Sequence, residues 1–128
     1  MMISDNLKTY LKDSATFNNS IIVITNKKNI LYNSNIEENN TKLPKSIINE
    51  LKKMYTNNEV VKVYNSYKIK IIDDPYINIK NEVIMLILDK DEIVGSLFLL
   101  NHNLNFEVSN FTFSSTVLNT LKTMLKID

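Results

Sequence analysis

The chain has no cysteine, no arginine and no tryptophan, and it holds one glycine, one histidine and two prolines in 128 residues. Without cysteine there are no disulfides, no thiolate nucleophile and no zinc–sulfur site. Any histidine-dependent chemistry must use His102, which sits between Asn101 and Asn103 after an apolar run and reads as an exposed loop residue. No serine stands in a glycine-flanked elbow, so a nucleophilic triad has no support. A single glycine cannot build a phosphate-cradling loop of the G-x-G-x-x-G or Walker A kind. The 15 basic residues are all lysine and balance 14 acidic ones to a net charge of +1. Nucleic-acid binders concentrate positive charge and use arginine for two-pronged grips, so direct nucleic-acid binding is not expected.

Long apolar runs are scarce too. VIMLILDKDEIVGSLFLL, Val83 to Leu100, is the one stretch long enough to suggest a membrane span. Its apolar residues favour insertion by about 4–7 kcal/mol in total, but Asp89, Lys90, Asp91 and Glu92 stand at the midpoint, where most such charges cost about 2.5–3.5 kcal/mol each. The charges win. A single helix fits poorly as well, because Val, Ile and Phe favour strands and the charges would lie mid-helix. Two strands around a charged turn are expected. Met1 to Ser20 lacks the apolar segment and cleavage site of a secretion signal, so no membrane attachment and a cytoplasmic location are expected.

An apolar content of 44% with 23% charged residues suits one globular domain, 1–128, able to bury a core. Ile3, Leu7, Tyr10, Leu11 and Ala15 fall on one helical face, predicting a helix to about Phe17. Ile21–Asn26 and the run from Ile30 read as antiparallel strands around Lys27-Lys28-Asn29, and Asn33–Thr41 as a polar loop. Leu43–Asn57 is a second amphipathic helix with Ile47, Ile48, Leu51, Met54 and Tyr55 apolar. Glu59–Tyr64 and Tyr67–Ile72 alternate as a strand pair about Asn65-Ser66, while Tyr76–Asn81 suits either a loop or a short edge strand. After the Val83–Leu100 hairpin, a last helix is expected from about Phe106 to Lys126. The fold class is α+β, an antiparallel sheet of about five or six strands with helices on at least one face.

Two stretches carry a resemblance. VIMLILDKDEIVGSLFLLN resembles the closing hairpin of GAF domains, with its strand, polar turn and I-x-G strand. Together with NNSIIVITNKKNILYNSN and LPKSIINELKKMY, it is similar to the C-terminal GAF-like domain of the stage V sporulation protein T family of transcription regulators. The resemblance spans about Asp5 to Lys126. It implies a GAF/PAS-like sensor module that dimerises and acts in sporulation control. This chain opens on the first GAF-type helix, so the family's DNA-binding half is not expected here. It departs from the family in having Asp89–Glu92 where glycines are usual, and Phe111, Phe113 and Leu118 where small residues are usual.

In a GAF-like fold the pocket lies between the sheet and its connecting elements, here the second helix and Asp73–Asn81. Tyrosines there offer an apolar body and a hydroxyl handle. From the set Tyr32, Tyr55, Tyr64, Tyr67 and Tyr76, the candidate ligand-binding residues are Tyr32, Tyr55 and Tyr76, alternatively core and rim residues. Gly95 marks either close backbone approach or a bulge, or a ligand pressed against the strand. Asp73-Asp74 and Asp89–Glu92 match no calcium-loop spacing and read as solvated turns, so no metal or cofactor is expected. The apolar stripes of the terminal helices are either core or interface. Read as interface, Ile3, Leu7, Leu11, Phe113, Val117, Leu121 and Met124 would pair two copies. The expectation is a non-enzymatic homodimeric regulator acting on a protein partner and switched by an unidentified small ligand, or alternatively a ligand-free adaptor.

Overall fold

The computed structural model describes residues 3–36, 41–103 and 115–126. Helix α1 runs from Asp5 to Phe17, and the Ser4 hydroxyl caps it by accepting the Leu7 amide at 3.3 Å. Strands β1 (Ser20–Thr25), β2 (Asn29–Asn33) and the two-residue β3 (Thr41–Lys42) follow, then helix α2 (Lys45–Thr56). Strands β4 (Val61–Tyr64), β5 (Asn81–Asp89) and β6 (Glu92–Asn101) precede helix α3 (Ser115–Lys126). The strands form one sheet in the order β3-β2-β1-β6-β5-β4, antiparallel throughout. The α+β class and the strand count expected from the sequence hold. The expected stretch of the last helix before Ser115 lies outside the described residues.

The Val83–Leu100 run is indeed two paired strands, reversing at Lys90-Asp91. Both turn residues sit at positive φ, 50° and 64°. That is the conformation of a tight two-residue hairpin turn, which ordinarily selects Asn-Gly. With one glycine in the chain, the other left-handed positions among the described residues fall to asparagine. Asn19 and Asn58 take φ of 53° and 58° just beyond the ends of α1 and α2, the place where a helix most often ends on such a residue.

Gly95 itself has no positive φ. It sits where β6 bulges, since Ile87 faces Gly95 while Leu88 faces Ile93. A Cβ at Gly95 would overlap the Thr25 carbonyl oxygen of β1 and stand 2.9 Å from Leu125 Cδ1 of α3. Close backbone approach and bulge thus both explain the residue.

The sheet divides the core in two. On one side, Ile22, Ile24, Val83, Ile87, Leu97 and Leu99 pack against α1 and α3 through Ile3, Leu7, Leu11, Ala15, Leu121 and Leu125. On the other, Ile21, Val23, Ile84, Leu86, Phe98 and Leu100 pack against Ile47, Leu51 and Met54 of α2 and against Ile71 and Ile79. Helices therefore cover both faces. Ile3, Leu7, Leu11 and Leu121 are at most 8% exposed within one chain. This corrects their reading as a dimer interface: the sheet is wide enough to take the terminal stripes itself. Val117 and Met124 are partly buried on the same cluster, and Phe113 lies outside the described residues.

Tyr67–Ile72 is not the expected strand. β4 ends the sheet, and the chain turns from it across the α2 face, carrying Ile71 and Ile79 into the core there. The alternation of YKIKII is genuine but serves a segment lying over the sheet rather than beside it. Tyr76–Lys80 carries no strand either.

Candidate functional site

The segment from Asn65 to Lys80, which crosses the α2 face, is the most unusual part of the structure. A crossing without ladder bonds must satisfy its backbone by other means. Glu82 of β5 supplies one: its Oε1 accepts the Lys68 amide at 3.1 Å and the Ile69 amide at 2.8 Å. Tyr67 supplies another, its hydroxyl accepting from the Ile72 amide and donating to the Ile72 carbonyl, each at 2.8 Å. Asp74 Oδ1 accepts the Tyr76 amide at 2.9 Å, and Lys80 donates its amide to the Asn101 carbonyl at 2.8 Å. His102 Nδ1 hydrogen-bonds the Asn78 carbonyl at 2.9 Å, so the histidine braces this segment rather than decorating a loop.

Glu82 is fully buried, and its Oε2 has no hydrogen-bond partner among the described residues. Burial pushes its carboxyl up to about 7, against the opposing pull of the Ile69 and Lys68 amides and of Lys70, while Glu50 of α2 adds to the rise. Burial likewise pushes the Tyr67 hydroxyl up to about 12. Lys68 and Lys62 lie over the Tyr64 ring at 5.3 and 5.4 Å from its centre, and the Tyr64 hydroxyl reaches Glu50 Oε1 at 3.4 Å. A charged and aromatic rim thus surrounds a neutral-leaning buried acid.

The sequence-derived ligand residues are not brought together. Tyr32 lies on the opposite face, fully buried beside Ile24 and Leu11, with its hydroxyl 3.4 Å from the Lys8 carbonyl. The reason is a register shift in β2: Ile24 pairs with Tyr32 and Thr25 with Ile30, so Leu31 is an extra residue and both Leu31 and Tyr32 join the α1 side. Tyr76 is 93% exposed. Tyr55 is 42% exposed and its hydroxyl bonds the Asp91 carbonyl, joining α2 to the β5–β6 turn. Beside it, Thr56, Glu59, Val60, Leu86, Leu88 and Asp91 line a surface cleft of about 500 Å³. Gly95 faces protein, not an open cavity.

The space beneath α2, where a GAF-type pocket was expected, is filled by the chain's own side chains: Met54, Ile84, Phe98 and Leu100 are each at most 1% exposed. Among the described residues no group of His, Asp or Glu side chains converges as metal ligands, and no helix is long and apolar enough to cross a membrane.

Sequence reasoning missed the asparagines. Asn101 Nδ2 donates to the Asn18 carbonyl at 2.8 Å and to Ser20 Oγ at 2.7 Å, and its Oδ1 accepts the Asn103 amide at 2.7 Å. Asn81 donates to the Asn103 carbonyl, so β1, β5 and β6 are fastened at one end by side-chain amides. At the other end Asn26 Oδ1 accepts the Lys28 and Asn29 amides, making the β1–β2 turn. Asparagine just after or within a strand-end tripeptide was the available signal.

No family model matches the chain, and no curated protein matches it. Among solved structures, the chain is similar to the GAF domain/HD domain protein of Geobacter sulfurreducens, at 12% identity over 99% of this chain and 91% of that one, with a TM-score of 0.39. A likeness of that degree carries no argument, and the fold stands on the sheet order and packing given above.

Proposed function

We propose that this chain is a non-enzymatic regulatory module of GAF type that works by contact with a protein partner. The supporting observation is the unequal cover of its sheet. One face lies under two regular helices, and the other under α2 and an irregular segment tied down by Glu82, Tyr67 and His102. A cover of that kind can shift without dismantling the sheet, which a binding-driven switch requires. The α2 face is packed, so a small ligand would have to displace the Ile71 and Ile79 segment to enter. Homodimerisation and a part in sporulation control rest on the sequence resemblance, and any pairing of copies would use surface other than the buried Leu7, Leu11 and Leu121.

A second reading, a ligand-free adaptor, draws on β4, which stands at one end of the sheet with a strand neighbour on one side only among the described residues. Val61 and Val63 of β4 are 43% and 49% exposed, and neighbouring Val60 is 44% exposed. An edge strand with apolar side chains is a template for an added strand from a partner. Native mass spectrometry of the purified protein separates the two. A co-purified small molecule, or a metabolite that binds by calorimetry and alters exchange in 65–80, supports the switched module. Absence of any binder together with a partner captured through β4 favours the adaptor.

A further inference from the structure

We propose that Glu82 is a proton-operated anchor: while protonated it holds the 65–80 segment on the sheet, and its ionisation loosens that segment and uncovers the α2 face. The geometry is specific. Glu82 sits in β5 between Tyr64 of β4 and Leu100 of β6, so its backbone is fixed by ladders on both sides. Its side chain is buried, and Oε1 reaches 13 and 14 residues back along the chain to two consecutive amides. The two N–H groups would hold an ionised Oε1 even more tightly than a neutral carbonyl, so it is the full burial of the carboxyl that favours the proton and keeps charge out of the core. Oε2 is unpartnered in either form: protonated it is a buried hydroxyl without an acceptor, ionised it is a buried charge, and the charge costs more in a packed interior.

The surroundings set the direction of escape. From α2, Glu50 opposes a second negative charge, and from the segment itself Lys70 favours it. Tyr64 faces from β4 and Tyr67 from the segment, and Leu100 of β6 brings no titratable group. Sheet and helix are regular elements, so the cheapest way to readmit water to the carboxylate is to lift the segment. Lys70 would travel with it.

The sign follows. The carboxyl holds its proton to about 7 in the closed state, against 4.5 when solvated. Opening is therefore least favoured in acid, becomes more favourable as pH rises from about 4.5 to 7, and levels off above. If opening restores ordinary solvation, the opening constant rises by a factor of about 300 across that window. The anchor takes from the regulatory reading only the choice of the α2 face as the responsive one.

The test needs no ligand, so its failure and the failure of that reading are distinguishable. Carbon-detected NMR would follow the Glu82 carboxyl from pH 4 to 9. Amide exchange at Lys68 and Ile69, corrected for intrinsic rates, would be measured alongside that of Phe98 and Leu99 in β6. We expect Glu82 to titrate near neutrality. Opening at Lys68 and Ile69 should rise up to about 300-fold through the same midpoint, with Phe98 and Leu99 far less affected, and Glu82→Gln should abolish the rise. A Glu82 midpoint below pH 5, a flat wild-type profile, or a rise retained in Glu82→Gln would overturn the anchor. If Glu82→Gln does not fold, the wild-type data decide alone: coincident midpoints support it and separate ones refute it.

Discussion

The two faces of the sheet solve the same problem with different materials. On the α1/α3 side the cover is helix, its backbone satisfied internally and its apolar residues at helical spacing, and the contacts are Leu and Ile packed on Ile, Val and Leu. On the α2 side part of the cover is irregular chain, and much of its backbone is satisfied by side chains, Glu82, Tyr67, Asp74 and His102 among them. Helix packing spreads its energy over many small contacts. The crossing segment relies more on a few hydrogen bonds, two of them to the buried carboxyl of Glu82. A face of the first kind resists change, while a face of the second kind can be released by altering one group.

The largest blow to this arrangement should come from Gly95→Ala. The added carbon overlaps the Thr25 carbonyl oxygen, which is backbone and cannot swing aside, and Leu125 of α3 stands 2.9 Å away. Overpacking of this kind costs about 3 kcal/mol or more. Thermal unfolding should show it as a lowered transition for the whole molecule, because β1, β6 and α3 meet there. Little loss of stability would mean that β1 and β6 can part beside Thr25.

Next in size comes a matched pair of truncations, Leu11→Ala on the helical side and Ile71→Ala on the crossing segment. Both remove a buried aliphatic side chain. A helix held at both ends cannot collapse into the hole, so Leu11→Ala should cost about 3 kcal/mol of global stability by denaturant unfolding. Ile71 sits on chain that can settle, and its loss should cost about half as much, with faster amide exchange confined to residues near 65–80. Equal global costs would erase the distinction between the faces.

What the sequence disclosed follows the same division. The helical side was readable because Ile3, Leu7, Leu11 and Ala15 repeat at the helical period, and the hairpin because four charges interrupt an apolar run. The crossing segment was misread because alternation in YKIKII reports only that one side of the chain is buried, and says nothing of whether a neighbour pairs with it. Tyr32 was grouped with the pocket candidates by residue type alone, and nothing in the run of letters marks the extra Leu31 that goes with its place on the other face. Glu82 carried no mark at all: a single acid before an apolar strand looks like a solvated strand end, and its burial depends on a segment that returns from 14 residues earlier.

The smallest effect tests the turn that joins the two long central strands. Lys90 and Asp91 hold positive φ without being glycine, and side chains with a Cβ pay about 1 kcal/mol for that conformation. Lys90→Asn with Asp91→Gly supplies the pair that the turn selects. The backbone carbonyl of residue 91 that accepts the Tyr55 hydroxyl remains in place, so the tie between turn and α2 is kept. The double variant should therefore gain about 1 kcal/mol in denaturant unfolding. The gain should appear in the global transition and leave exchange at Lys68 and Ile69 unchanged at fixed pH, because the turn belongs to the sheet and not to its movable cover. A variant that instead tightened 65–80 would show that turn and segment communicate through α2, and that the two faces are less independent than their construction implies.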